Sequence, residues 1–272
     1  LSLPLDSIIH CDALTGLKKL PSGSVHLIVT SPPYNAGKSY EQKLSEAEYF
    51  AFIDPIVAEM KRVLKPDGRF AVNVCFNINR KDAGQTVTLY PFLSWIDSLR
   101  KNGLQIRENI IWNQFTSEAD TAWGSWCSAS APYIRHMTEN IIVGFNEQWK
   151  KLSPGQSDVT AGEFPKWTLD RWDMTAEQDR KIKALHPAPF PEELAKRCIK
   201  LFSYVGDIVL DCFVGSGTSC VVAKKFGRRY IGFDSDLKFC KFSERRLSNV
   251  PQKLEGFMRK GTLDEITVPG ST

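Results

Sequence analysis

Apolar residues in this chain follow two alternating patterns. Short strand-like runs, five to eight residues each, lie at Ser7–Cys11, Val25–Thr30, Arg69–Cys75, Gln105–Trp112, Asn140–Phe145, Asp207–Asp211 and Arg229–Phe233. Between them, apolar positions recur at helical spacing over Asp12–Leu20, Tyr49–Leu64, Leu89–Asn102, Pro191–Phe202 and Ser219–Phe226, and again around Phe239 and Phe242. The punctuation agrees: Lys65-Pro66-Asp67-Gly68 stops one helix, Gly103 ends another, and Pro191 opens a third. Strands alternating with helices predict an α/β fold, a mostly parallel sheet covered on both faces. Two stretches break the rhythm: residues 113–136, rich in Ser, Ala and Trp, and residues 147–185, polar and broken by Pro and Gly. Long irregular segments in such a unit are usually functional. The whole chain of 272 residues reads as a single domain.

Composition narrows the class. With 42% hydrophobic and 24% charged residues, the chain can bury a core and is not globally disordered. No apolar run approaches the ~18 residues of a membrane span, and the start lacks a signal pattern. The chain opens on Leu1, which reads as a trimmed N-terminus, and a cytoplasmic protein with no membrane contact is expected. Seven scattered cysteines, without a C-x-x-C pair, argue against a disulfide framework and against a metal site. The net charge of +4 says little, but residues 224–260 hold eleven Lys/Arg against four Asp/Glu. Such a stretch suits phosphate contact or a solvated helix face equally well.

Candidate chemistry sits at strand ends. Ser31-Pro32-Pro33-Tyr34 follows the run Val25–Thr30 directly. Two prolines fix φ and supply no N–H, so their carbonyls are free to point outward as acceptors. With the Ser31 hydroxyl and the Tyr34 ring, the turn makes a clamp for a flat heterocycle bearing an amino group; its alternative is a rigid turn with a packing tyrosine. The second motif, Asp211-Cys212-Phe213-Val214-Gly215-Ser216-Gly217-Thr218, follows the run that ends at Asp211. Glycines there let backbone approach a ligand at the carboxyl end of a parallel strand. It is no phosphate loop, and Cys220 stands where a dinucleotide fingerprint has its third glycine. About twenty residues on, Asp234 ends the next strand, placed to accept from ribose hydroxyls. Asp236 competes for that role, and either acid is also suited to cap the helix that follows.

In this order the motifs resemble the amino-group DNA methyltransferases that use S-adenosylmethionine and carry the catalytic motif before the cofactor motif. Five segments match in sequence: Ile9-His10-Cys11-Asp12-Ala13, Thr30–Tyr34, Leu64–Arg69, His186-Pro187-Ala188-Pro189-Phe190-Pro191, and Asp211–Thr218. The resemblance implies a Rossmann-like methyltransferase fold with circularly permuted motif order. Its sheet would have seven strands, six parallel and one antiparallel, with Asn140–Phe145 and Gln105–Trp112 as a hairpin-like edge. The N-terminal strand would lie beside the C-terminal one, so that Asp12 and Asp234 converge on one nucleoside. Implied cofactor contacts are Asp12, Ala13, His186, Pro187, Phe190, Asp211, Phe213, Gly215, Ser216, Gly217, Thr218 and Asp234. Phe190 lies where relatives carry a lysine, which passes the cofactor carboxylate to backbone amides or hydroxyls; His186 is either a contact or a capped residue.

The resemblance also implies chemistry. The Thr-Ser-Pro-Pro-Tyr version of the catalytic motif is similar mainly to that of enzymes methylating the cytosine amino group (N4); adenine N6 is the alternative product, and a DNA-binding protein without catalysis is the less favoured reading. No cysteine follows a proline, so the nucleophile of the carbon-methylating enzymes is missing. Ser31, Pro32, Pro33 and Tyr34 would act on a base flipped out of the duplex, with Ser31 and Pro32 accepting from its amino group and Tyr34 stacking on it. Glu139-Asn140 is similar to a pair in the carbon methyltransferases and reads as structural without the Pro-Cys. Double-stranded DNA is the expected partner. Its candidate contacts are Lys38 in a lid over Asn35–Lys43, Trp123 and Arg135 in the first irregular segment, and Lys166 and Arg171 in the second. Trp167 and Trp172 would read bases beside those last two. A homodimer and a cognate restriction endonuclease are both compatible with the chain.

Overall fold

The computed structural model describes residues 3–37, 43–82, 84–114, 124–134, 136–185 and 189–251. From the N-terminus come β1 (Ser7–His10), α1 (Ala13–Lys18), β2 (Val25–Thr30), α2 (Glu46–Val63), β3 (Leu64–Val74), β4 (Ile78–Asp82), β5 (Gln85–Leu89) and α3 (Pro91–Lys101). The chain continues through β6 (Gln105–Asn113), β7 (Thr138–Phe145), α4 (Phe164–Trp167), β8 (Arg171–Asp173), α5 (Arg180–Leu185) and α6 (Glu192–Phe202). It closes with β9 (Ile208–Asp211), α7 (Thr218–Lys225), β10 (Arg229–Asp234) and α8 (Leu237–Ser248).

The main sheet runs β1-β10-β9-β2-β3-β7-β6-β8. Only β7 opposes its neighbours, pairing antiparallel with both β3 and β6. The N-terminal strand does lie beside the last one, with His10 opposite Asp234, so the acids that follow or end those strands share one edge. One strand exceeds the expected seven. Three-residue β8 adds in parallel to β6, so the outer edge is not the β6–β7 pair. A run so short carries no readable alternation of its own. A separate hairpin, β4–β5, occupies a stretch that showed no strand-like run.

Side chains alternate between two cores, one on each face. Leu27, Val29, Ala71 and Val143 pack with Leu194, Cys198, Ile199 and Val221 of α6 and α7. Val25, Ile28, Phe70 and Val72 pack with Ile53, Val57, Met60, Trp95 and Leu99 of α2 and α3. Burial on both faces is why these strands read as near-continuous apolar runs. Helix α2 begins with a reciprocal cap: Ser45 accepts from the Glu48 backbone, and Glu48 accepts from the Ser45 N–H at 2.8 Å. No described helix is long and apolar enough to cross a membrane.

The core corrects one expectation. Trp167 and Trp172, read as groove-facing beside Lys166 and Arg171, are buried. Trp172 is 0% exposed and its indole N–H donates to the Trp167 carbonyl at 3.0 Å, while Lys196 and Lys200 lie over the Trp167 ring. Two aromatics in a polar stretch are here the anchor that holds that stretch to the sheet. Trp172→Ala is therefore expected to lower unfolding free energy by about 3–5 kcal/mol, read from urea denaturation. An unchanged midpoint would return Trp172 to a surface role.

Candidate active site

Strand β2 is buried almost throughout, and the chain leaves it at Thr30 into the Ser-Pro-Pro-Tyr turn. The Pro33 carbonyl is occupied: Tyr49 of α2 donates its hydroxyl to it at 2.8 Å, and Trp95 of α3 donates to Tyr49 at 3.1 Å. The Pro32 carbonyl, by contrast, takes no hydrogen bond from the described residues. Asn35 then takes a left-handed conformation (φ 63°) and pairs its amide with both backbone groups of Leu44, at 2.7 and 2.9 Å. Buried Arg80 of β4 donates to the carbonyls of Asn35 (2.9 Å) and Leu44 (2.8 Å). The hairpin thus fastens the neck of the loop that follows the Ser-Pro-Pro-Tyr turn. Arg80 also pairs with Asp82 at 2.7 Å, but the partners through which it fastens the loop lie more than thirty residues away and gave no local signal.

Behind the turn lies a polar network. Ser31 Oγ and the Tyr34 hydroxyl are 2.9 Å apart, and the Tyr34 hydroxyl lies 2.8 Å from Glu139 Oε2 at the start of β7. Asn73 of β3 donates to Tyr34 at 2.9 Å and to Glu139 at 2.5 Å, and Gln114 donates to the other Glu139 oxygen at 2.8 Å. Burial pushes the Glu139 carboxyl above the usual carboxylate range, partly offset by hydrogen bonds from Tyr34, Asn73 and Gln114. Burial, helped by the Glu139 charge, also pushes the Tyr34 phenol well above its ordinary value. Glu139 is therefore not remote scaffolding: it touches the tyrosine of the Ser-Pro-Pro-Tyr turn.

One cavity of about 810 Å³ joins the two motifs. All four residues of the turn line it, together with Asp12, Ala13, Phe190, Phe213, Gly215, Ser216, Thr218 and Asp234. Tyr49, Phe52 and Ile56 of α2 and Leu237 and Phe239 of α8 also line it, so one side of α2 faces the cavity. Asp211 and Gly217 do not line it. Asp211 is buried beneath, where its Oδ1 accepts from the Thr30 hydroxyl at 2.7 Å and the Phe213 N–H at 3.1 Å. Burial raises its pKa to about 6, against the pull of those hydrogen bonds. It ties the residue preceding the Ser-Pro-Pro-Tyr turn to the glycine loop. Gly217 has φ 82°, and a Cβ there would lie 2.6 Å from the Ser243 Cβ, so the loop needs glycine to sit on α8.

The two candidate acids both line the cavity and differ in their bonding. Asp234 accepts from the Gly215 N–H and the Asp236 N–H, each at 2.8 Å, and burial raises its pKa. Asp236 caps α8 through the Lys238 N–H at 2.7 Å, and Asp12 likewise caps α1 through Thr15 at 2.9 Å. Asp12 and Asp234, brought together by the β1–β10 pairing, line the same end of the cavity. Carboxylates at one end, a glycine loop with backbone exposed in the middle, and an apolar wall of Phe190 and Phe213 fit a nucleoside bearing an amino-acid tail. His186 and Pro187, and likewise Lys38, Trp123 and Arg135, lie outside the described residues. Lys166 and Arg171 are exposed, Arg171 beside Asp173 at 2.8 Å, and neither lines the cavity.

Comparison with known proteins gives consistent matches. A family profile described as DNA methylase matches residues 25–245. The type II methyltransferase M.MjaVI of Methanocaldococcus jannaschii is 37% identical over 170 residues, 61% of this chain and 85% of its own length. The DNA adenine methyltransferase YhdJ of Escherichia coli is 30% identical over 261 residues, 89% of this chain and 82% of its own length. Among solved structures, a candidate DNA modification methylase of Thermus thermophilus, complexed with S-adenosyl-L-methionine, superposes with a TM-score of 0.71 at 28% identity. That match covers 90% of this chain and 96% of the other.

Proposed function

Because the chain belongs to the DNA methylases, S-adenosylmethionine-dependent enzymes of exocyclic amino groups, we propose that its target is the N4 amino group of a cytosine in duplex DNA. The observation that carries this reading is the Ser31-Pro32-Pro33-Tyr34 turn, set in one cavity with the glycine loop. The cofactor, when bound, supplies an electrophilic methyl group. The chain's own residues do the rest. A cytosine amino nitrogen is a poor nucleophile because its lone pair is delocalised into the ring. Ser31 Oγ and the Pro32 carbonyl accept from its two N–H groups and favour a pyramidal nitrogen, with its lone pair turned toward the cofactor. The nitrogen becomes acidic as it gains positive charge, so no strong base is required. Reaching this cavity requires the base to leave the helix.

Adenine N6 is the second reading, favoured by the likeness to YhdJ, whose name specifies adenine. The type II name of M.MjaVI fits a role as the modification half of a restriction pair. The deciding experiment uses tritiated S-adenosylmethionine and mixed-sequence duplex DNA, followed by digestion to nucleosides and chromatography. Label in N4-methylcytosine is expected, and Ser31→Ala should slow its appearance. Label in N6-methyladenine would overturn the choice of base; none on DNA would overturn the function.

A further inference from the structure

The catalytic turn contains no carboxylate, yet one reaches it from β7. Glu139 is half-buried, with Oε2 held 2.8 Å from the Tyr34 hydroxyl and 2.5 Å from the Asn73 amide nitrogen. A carboxylate can only accept hydrogen bonds. This one constraint orders the network. Tyr34 has one hydrogen and gives it to the charged neighbour, the strongest acceptor in reach. Its oxygen is then an acceptor, facing the Asn73 amide at 2.9 Å and the Ser31 hydroxyl at 2.9 Å. Ser31 therefore donates to Tyr34, and its oxygen, faced otherwise only by the Asn73 amide at a long 3.5 Å, is left to accept from the cavity.

We propose that Glu139 is a positioning residue that sets the direction of this hydrogen-bond chain and makes Ser31 an acceptor toward the target amino group. The inference rests on the amino-methyltransferase reading above and assigns Glu139 the part of the carboxylate that the turn lacks. Without it, Tyr34 can turn its hydrogen toward Ser31, and Ser31 then presents a hydrogen to the nitrogen that must attack. Gln114 satisfies the second Glu139 oxygen and Asn73 braces the first, so the carboxylate has no reason to swing away.

Acid should reverse the chain in the same way, because a protonated Glu139 becomes a donor. Activity falls as pH drops through the Glu139 pKa, which burial holds above the ordinary range. The groups facing Glu139 are Tyr34 from the turn after β2, Asn73 from β3 and Gln114 from the end of β6; Cys75 acts on Tyr34. Neither amide titrates, and Tyr34 titrates far above this range. Asp211, at about 6, adds a separate acid limb that does not depend on Glu139.

The test compares Glu139→Met, which leaves the Tyr34 hydroxyl only the more distant Asn73 carbonyl at 3.3 Å and the Ser31 oxygen as acceptors, with Glu139→Gln, which keeps an acceptor oxygen in place. The Met variant should lose on the order of 100-fold in kcat with unchanged KM for S-adenosylmethionine. The Gln variant should recover most of that loss and lack the Glu139 acid limb. In a Tyr34→Phe background the Met substitution should cost little more, since both act through one hydroxyl. Ultraviolet resonance Raman gives a readout independent of turnover. The wild-type minus Tyr34→Phe difference should show a phenol that donates to a charged acceptor, and Glu139→Met should shift that signature to one of donation to a neutral oxygen. A wild-type rate in Glu139→Met, full multiplication with Tyr34→Phe, or an unchanged phenol signature would overturn the proposal. If the wild type methylates no DNA, the functional reading fails, and the Raman result still judges Glu139.

Discussion

Alanine at position 34 should lower kcat by about a hundredfold or more while leaving S-adenosylmethionine binding near its wild-type value. Tyr34 has two jobs at the mouth of one cavity. In the proposed reaction its ring stacks on the flipped base, worth about 1–3 kcal/mol by analogy with other base–aromatic contacts, or roughly 5- to 150-fold. Its hydroxyl lies between Ser31 and Glu139, at 2.9 and 2.8 Å, and aligns the serine that meets the amino group. Tyr34→Ala removes both, whereas Tyr34→Phe removes only the second and should fall between wild type and alanine. The cofactor loop is held by separate contacts, Gly215 to Asp234 and Arg246 to the Ser216 carbonyl, at 2.8 and 2.7 Å. Single-turnover methylation reads the rate and calorimetry with the cofactor reads the affinity. Loss of both together would mean that Tyr34 is structural and not part of the clamp.

The parts of this site that were legible are those written locally. The alternating strands and helices, and the acids that follow or end them, could be placed from periodic runs and turn residues within about twenty positions. The neighbour relation of β1 and β10 was implied only by the resemblance to the amino-group DNA methyltransferases. The parts that were not legible depend on pairings across long separations. Glu139 meets Tyr34 across 105 positions, and Thr30 meets Asp211 across 181. No local pattern distinguishes such a glutamate from a surface one. Strand β8 was missed because three residues are too few to show a period. Trp172 was misassigned because a polar neighbourhood in sequence said nothing of the core it enters.

The contacts across those separations explain why two motifs at opposite ends of the chain can work as one site. Thr30 and Asp211 end neighbouring parallel strands and share a buried hydrogen bond of 2.7 Å. The catalytic turn starts one residue after Thr30, and the cofactor loop starts at Asp211. Methyl acceptor and methyl donor are therefore referred to adjacent strands of one sheet, with little freedom between them. A sheet edge is stiffer than a loop, and alignment of two reactants is where such a site gains most of its rate.

Asp234→Ala should show the opposite kinetic signature from Tyr34→Ala. The Asp234 carboxylate accepts two backbone N–H groups at 2.8 Å each, one from Gly215 in the glycine loop and one from Asp236 at the start of α8. Its remaining lone pairs face the cavity, where ribose hydroxyls of the cofactor are expected. Alanine strands both N–H groups at about 1–3 kcal/mol each and removes charge-assisted bonds worth about 1.5–3 kcal/mol. Part of the first cost falls on folding stability as well as on the loop. The cofactor Kd should therefore rise by about a hundredfold. Once cofactor saturates, kcat should return to within a few-fold of wild type, because Ser31, Pro32 and Tyr34 are untouched. The Asp234→Asn variant keeps one acceptor but turns an N–H toward a donor, and should lose nearly as much affinity as alanine. Because burial already raises the Asp234 pKa, wild-type affinity should also weaken as pH falls through that value, a dependence absent from the alanine variant. A Kd within threefold of wild type in Asp234→Ala would remove Asp234 from the cofactor site and leave it as the clasp between loop and helix.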